Sequence, residues 1–198
     1  QKVMSSSMLF NSIITFPTVF GMLLVSQEFV YLFLGRQYAE SYVAINIVAF
    51  ALIPIAFSEI VGRQTLIPTD NVKLFTASVM SGAVVSIVLN MLVIPLFGYR
   101  GAAVTLVVVE TVVCVLMTYF ARKYLDILDL LRIAIKPLVA SIMTGIIVHL
   151  LFFYVLSISN DLLSLLLKVI VYSIIYGTLL LLTGTITQHE VFMLRRKD

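Results

Sequence analysis

Six stretches of mainly apolar residues divide the chain: 6–26, 41–58, 74–95, 101–121, 137–157 and 163–184, here spans A to F. Each is close to the length of about 20 residues that a helix needs to cross a bilayer. None alternates polar and apolar residues as a barrel strand does, and a chain in lipid must satisfy its own backbone hydrogen bonds, so the pattern predicts helices. Span B is the shortest and contains Asn46 and Pro54. Pro17 in span A and Pro54 in span B each remove a backbone hydrogen bond, which predicts a kink at each. The longest linker, 122–136, has its own period. Asp126, Asp129, Arg132 and Lys136 recur every three to four positions among Leu125, Ile127, Leu128, Leu130, Leu131, Ile133 and Ile135. That spacing predicts an amphipathic helix in the membrane interface; the plainer reading is a cytoplasmic extension of helix E, and Pro137 argues against a continuous helix. The expected organisation is four transmembrane helices over 1–121, a connector over 122–136, and two further helices with a basic tail over 137–198. The fold class is all-α, a polytopic transmembrane bundle.

Composition sharpens this. Of the 198 residues, 61% are hydrophobic and 12% charged, and the mean hydropathy is +1.12. Soluble domains hold about 45–50% apolar and about 25% charged residues, so a water-soluble globule is excluded. Disorder, which needs the opposite balance, is excluded too. A net charge of +3 and a pI of about 9.0 would suit nucleic acid in a soluble protein. Here the basic residues punctuate apolar runs and set topology instead. Lys2, Arg63, Lys73, Arg122, Lys123, Arg132, Lys136, Arg195, Arg196 and Lys197 fall on one side of six crossings, and only Arg36, Arg100 and Lys168 on the other. The basic side is expected to be cytoplasmic, with both termini. The one cysteine, Cys114, permits neither an intrachain disulfide nor a cysteine-based metal site. The chain begins at Gln1 rather than Met and reads as a piece of a longer protein.

Polar residues inside apolar runs are the candidates for chemistry. Three ridges at helical spacing, Ser78-Gly82-Ser86-Asn90, Ser141-Gly145-His149 and Ser173-Gly177, would let helices approach closely. Glu110 is the sharpest feature, near the middle of span D. A central acid costs roughly 2.5–3.5 kcal/mol on insertion scales, so it should face the bundle interior or a water-filled cavity. It could serve a proton- or cation-linked site or a polar substrate, or it could be a hydrogen-bonded carboxyl that ties helices together. His149 could titrate near neutral pH or be a hydrogen-bonded packing residue. Asn90 could line a cavity, bind a cation through its carbonyl, or cap the end of span C. No serine or threonine has a base placed beside it. There is no metal-ligand spacing and no glycine-rich phosphate loop, so an enzyme is not expected.

Two segments resemble a known family. Gly62-Arg63-Gln64-Thr65-Leu66-Ile67-Pro68 closes span B. One helix later comes the run from Leu89-Asn90-Met91-Leu92-Val93-Ile94-Pro95 through Leu96-Phe97-Gly98-Tyr99-Arg100-Gly101-Ala102-Ala103 to Glu110. This order resembles the carboxy-terminal half of the polysaccharide flippases, the capsule and O-antigen repeat-unit transporters of the multidrug/oligosaccharidyl-lipid/polysaccharide exporter superfamily. Phe16-Pro17 and Phe29-Val30-Tyr31-Leu32-Phe33-Leu34-Gly35-Arg36-Gln37-Tyr38 resemble that family's proline-containing helix and its exit. The likeness covers about residues 16–122. It implies a larger two-lobe transporter of which this chain supplies helices nine to fourteen, with the preceding helices as its partners.

The resemblance also implies a function: movement of undecaprenyl-diphosphate-linked oligosaccharide across the bacterial cytoplasmic membrane by alternating access. Lipid-linked oligosaccharide and membrane lipids would be the partners, nucleic acid would not, and no cofactor is implied beyond a coupling cation, H+ or Na+. Relatives that flip the peptidoglycan precursor can bind a cation between helices matching spans C and D, where Ser86, Asn90 and Thr105 would fall. No acid stands in that cluster. Glu110, Asn90, Ser86, Thr105 and Arg63 are therefore the candidate pathway residues, with Pro17 and Pro54 as kinks and no metal site. The alternatives are a peptidoglycan-precursor flippase or cation-coupled multidrug exporter of the same superfamily, and a non-transporting membrane scaffold.

Overall fold

The computed structural model describes residues 2–154, 156 and 160–185. Arg195, Arg196 and Lys197 of the expected basic tail, and the side chain of Lys2, lie outside what is described. Among the described residues every regular element is helical: α1 (Lys2–Phe33), a 3-10 turn (Arg36–Tyr38), α2 (Ser41–Ala49), α3 (Leu52–Val61) running into a π-helical turn (Gly62–Leu66), α4 (Val72–Ala121), α5 (Ile127–Tyr154) and α6 (Asp161–Leu182).

Five helical stretches, not the six expected, are long and apolar enough to span a membrane, because spans C and D form one unbroken helical assignment in α4. A straight helix of 50 residues would be about 75 Å long, more than twice a hydrocarbon core of about 30 Å. α4 is not straight. Gly98 has φ 58° and ψ −140°, a left-handed conformation that glycine adopts without steric cost. Pro95, three residues earlier, removes the hydrogen bond to the Met91 carbonyl. The chain doubles back there. A methyl group placed on Gly82 would lie 2.4 Å from Val113 Cγ2 and 3.6 Å from Val109 Cγ1. In a straight helix Gly82 and Val113 would be about 46 Å apart. α4 is thus a hairpin of two antiparallel legs, 72–97 and 99–121, and the ridge through Ser78 and Gly82 gives it the close approach expected of small residues.

The other prolines behave differently from one another. Pro54 frees the Phe50 carbonyl, and span B breaks between α2 and α3 at Phe50–Ala51, where the Ile53 N–H takes that carbonyl at 3.3 Å. Pro17 frees the Ile13 carbonyl, yet α1 continues unbroken. The Tyr176 hydroxyl of α6 donates to the Ile13 carbonyl at 3.1 Å, so a neighbouring helix supplies the missing partner. Pro137 does not separate the connector from span E, contrary to expectation. α5 begins at Ile127 and runs through it. Its buried stripe, Leu130, Ala134, Pro137, Ser141, Thr144, Val148 and Phe152, keeps one continuous helical period on both sides of the proline. Packing along that whole face outweighs the one lost hydrogen bond. At 28 residues α5 is about 42 Å long, so its first turns project beyond a core of about 30 Å.

α1 is shared by two apolar clusters. Met8 and Phe16 pack with Ile60, Val61 and Leu66, with Val113, Met117 and Ala121, and with Leu130 and Ala134. Ile13, Phe20 and Leu24 pack against Ala140, Val148 and Phe152 of α5 and Tyr172, Tyr176 and Leu180 of α6. The interior also holds small polar residues, including Ser12, Ser26, Ser78, Thr105, Ser141 and Thr144. The perimeter carries Met91, Leu92, Leu96, Phe97, Phe153 and Leu182, all well exposed. Small polar groups inside and large apolar groups outside is the distribution expected when lipid, not water, is the solvent.

Candidate functional site

The sequence singles out Glu110 and Arg63 on different spans, and a third residue joins them. Arg63 lies in the π-helical turn, and its Nε is 2.6 Å from Glu59 Oε2, one turn earlier in α3. Half-buried Glu110 lies on α4, the helix that α3 packs against. Glu110 is 11 residues from the end of α4, about 16 Å along the axis, and so lies deep in the bilayer. The turn that carries Arg63 is held by close packing. A methyl group on Gly62 would lie 2.7 Å from the Phe75 ring and 2.9 Å from Met117 Sδ. The result is two carboxylates and a guanidinium at one seam of the bundle, with Glu59 and Arg63 both exposed. An acid at the depth of Glu110 is stable only beside water or further protein. Glu59 stands one residue past the end of span B, outside the apolar runs whose polar residues mark the candidates. Its i,i+4 spacing to Arg63 was the available signal.

Ser86, Asn90 and Thr105 come from the two legs of α4. The Asn90 side-chain amide donates to Ser86 Oγ at 3.2 Å. Gly82 opposes Val109 and Val113, so the antiparallel register carries Thr105 to the level of Ser86 and Asn90. Thr105 is buried, and its hydroxyl has no hydrogen-bond partner among the described residues. The three polar side chains thus share one stretch of the hairpin.

The other two ridges divide. Ser141 meets α6, its hydroxyl 2.7 Å from the Tyr172 hydroxyl, which also donates to the Ser141 carbonyl at 3.2 Å. Gly177 has nothing within 4 Å of where a methyl would stand, and the Ser173 hydroxyl bonds back to the Val169 carbonyl at 2.8 Å, so that ridge mediates no close approach. His149 is not a buried packing residue. It stands on the exposed face of α5, with its ring 6.2 Å from that of Phe153.

A second polar seam, absent from the sequence reading, runs along α6 at four-residue spacing. Ser164, Lys168, Tyr172 and Tyr176 all turn toward α1 and α5. The Lys168 ammonium is ion-paired with the Glu28 carboxylate of α1 and also donates to the Leu24 carbonyl at 3.3 Å. Ser164 donates to the same Glu28 oxygen at 3.2 Å, and the Phe152 ring lies 5.8 Å from the Lys168 nitrogen. The two charged side chains are only 17% and 14% exposed.

The two ends of the bundle differ in charge. At one end each described cation meets an acid from another element: Arg36 with Asp161 at 3.2 Å, Arg100 with Glu40 at 3.0 Å, and Lys168 with Glu28. At the other end the described ion pairs are local, Arg63 with Glu59 and Arg132 with Asp129. Among the described residues, Lys73, Arg122, Lys123 and Lys136 form no ion pair there.

Helix lengths, perimeter and charge together define a multi-pass α-helical membrane protein. No family model matches the chain, and neither a curated protein nor a solved structure matches it.

Proposed function

We propose that this chain is the carboxy-terminal part of a flippase that exports undecaprenyl-diphosphate-linked oligosaccharide by alternating access between two helical lobes. The observation that carries the reading is the acid Glu110 midway along an apolar helix, on the seam that also holds Glu59 and Arg63 near its end, at a face this chain only half covers. A second lobe enclosing a wet cavity satisfies that requirement, and a polar headgroup crossing the membrane needs such a cavity. The order of motifs from Arg63 to Glu110 supports the same reading. A coupling cation, H+ or Na+, would act at Glu110 or at the Ser86-Asn90-Thr105 level of the hairpin.

The test is transport by the intact protein in proteoliposomes. Lipid-linked oligosaccharide should be moved, and a cationic drug should not. Movement of the peptidoglycan precursor or of the drug alone would reassign it within the superfamily, and movement of none would favour a scaffold.

The charge asymmetry supports a cytoplasmic location for the end bearing Lys73, Arg122 and Lys123. A cysteine placed at Lys123, with Cys114 replaced by alanine, should react with a membrane-impermeant maleimide only after the cells are permeabilised. Labelling of intact cells would invert the topology.

A further inference from the structure

We propose that the end of the bundle bearing Lys73, Arg122 and Lys123 is a binding surface for an anionic phospholipid. The 67–71 turn and the start of the 122–126 linker are fastened together, because the Asn71 side-chain amide donates to the Tyr124 hydroxyl at 3.1 Å and to the Thr69 carbonyl at 2.9 Å. That brings Lys73, at the start of α4, to the same small region as Lys123, just past its end. The Arg122 guanidinium lies 4.1 Å from the centre of the Tyr119 ring, so it is held flat against an aromatic face rather than turned to a carboxylate. None of the three cations has an acidic partner among the described residues, whereas at the opposite end all three described cations do. Among the described residues, Asp126 of the same linker accepts from the Leu128 and Asp129 N–H groups instead, and Asp70 forms no ion pair, so the three cations are left without a carboxylate partner.

The surroundings select a lipid as the source of the compensating anion. Tyr119 and Tyr124 are 52% and 45% exposed, the half-buried state of aromatic residues at headgroup level. One turn deeper on the same face of α4 is Val115, 60% exposed, which continues the surface into the acyl region. In the proposed complex a phosphodiester would be held by Lys73, Arg122 and Lys123, with its glycerol against Tyr119 and Tyr124 and an acyl chain along Val115. The surface requires the bilayer and is independent of the transport reading.

The experiment is native mass spectrometry of the full chain released from nanodiscs of equal phosphatidylglycerol and phosphatidylcholine. Retained lipid should be enriched in phosphatidylglycerol, and high salt should reduce the enrichment. Each basic residue near an anionic surface is worth about fivefold in affinity, so the triple variant Lys73→Gln/Arg122→Gln/Lys123→Gln should lose more than about tenfold. Arg36→Gln/Arg100→Gln, at the opposite end, should lose nothing. Equal retention of the two lipids, or enrichment that survives in the triple variant, would overturn the proposal. So would full competition by inorganic phosphate, which would make the source a free anion. If the triple variant does not fold, Lys123→Gln on the exposed linker gives the same reading at about fivefold.

Discussion

Lys168→Ala should destabilise the bundle by about 3 kcal/mol, near the low end for removing one partner of a buried ion pair. The substitution leaves the Glu28 carboxylate with only the Ser164 hydroxyl, in a seam where both charged side chains are mostly shielded from solvent. It also strips the Leu24 carbonyl of its side-chain donor. Glu28→Gln should cost a similar amount, because it strands the ammonium. The double variant Glu28→Leu/Lys168→Met should cost less than either single change, since an apolar pair replaces the ion pair and leaves no uncompensated charge. Unfolding in detergent mixtures, read as a double-mutant cycle, decides this. Single variants that unfold with the wild type, or losses that simply add, would show that the pair does not fasten α6 to α1.

In the intact protein, Glu110→Gln should lower transport on the order of tenfold or more while leaving the fold in place, a difference of about 1.4 kcal/mol at the barrier. Glutamine keeps the volume and the hydrogen-bonding capacity of a protonated carboxyl but can neither hold nor release a proton. If Glu110 only ties α3 to α4, Gln should serve as well and transport should be unchanged. A parallel measurement of expression and of detergent stability separates loss of folding from loss of function. Transport at the wild-type rate would remove Glu110 from the pathway.

Local pattern carried the helices because each apolar run is its own evidence. The period of 101–121 says helix whether or not its neighbours are known. It also located the polar stretch where the chain turns, since Pro95, Gly98 and Arg100 interrupt the apolar sequence. Period and breakers could not show how abrupt that turn in α4 is, with Gly98 alone between its two legs. Nor could they show that α5 crosses Pro137, which is decided by the packing of α5's own buried stripe against neighbouring helices. The α6 seam was hidden for the same reason. Glu28 and Lys168 are 140 positions apart, and Glu28 fell beyond the predicted end of span A although α1 continues to Phe33. One acid and one base, each embedded in an apolar run at the same end of the bundle, was the only trace of the pair in the sequence. Tyr176 left less, because its partner is the backbone carbonyl that Pro17 exposes. The Glu110 seam was half legible: the acid inside an apolar run announced itself, but its link to Arg63 passes through Glu59, whose one trace in the linear order is its four-residue spacing to Arg63.

Only one left-handed residue joins the two apolar legs of α4, and they touch at Gly82 and Val113. Neither leg can slide along the other without opening that contact, so residues 72–121 behave as a single paired unit within the bundle.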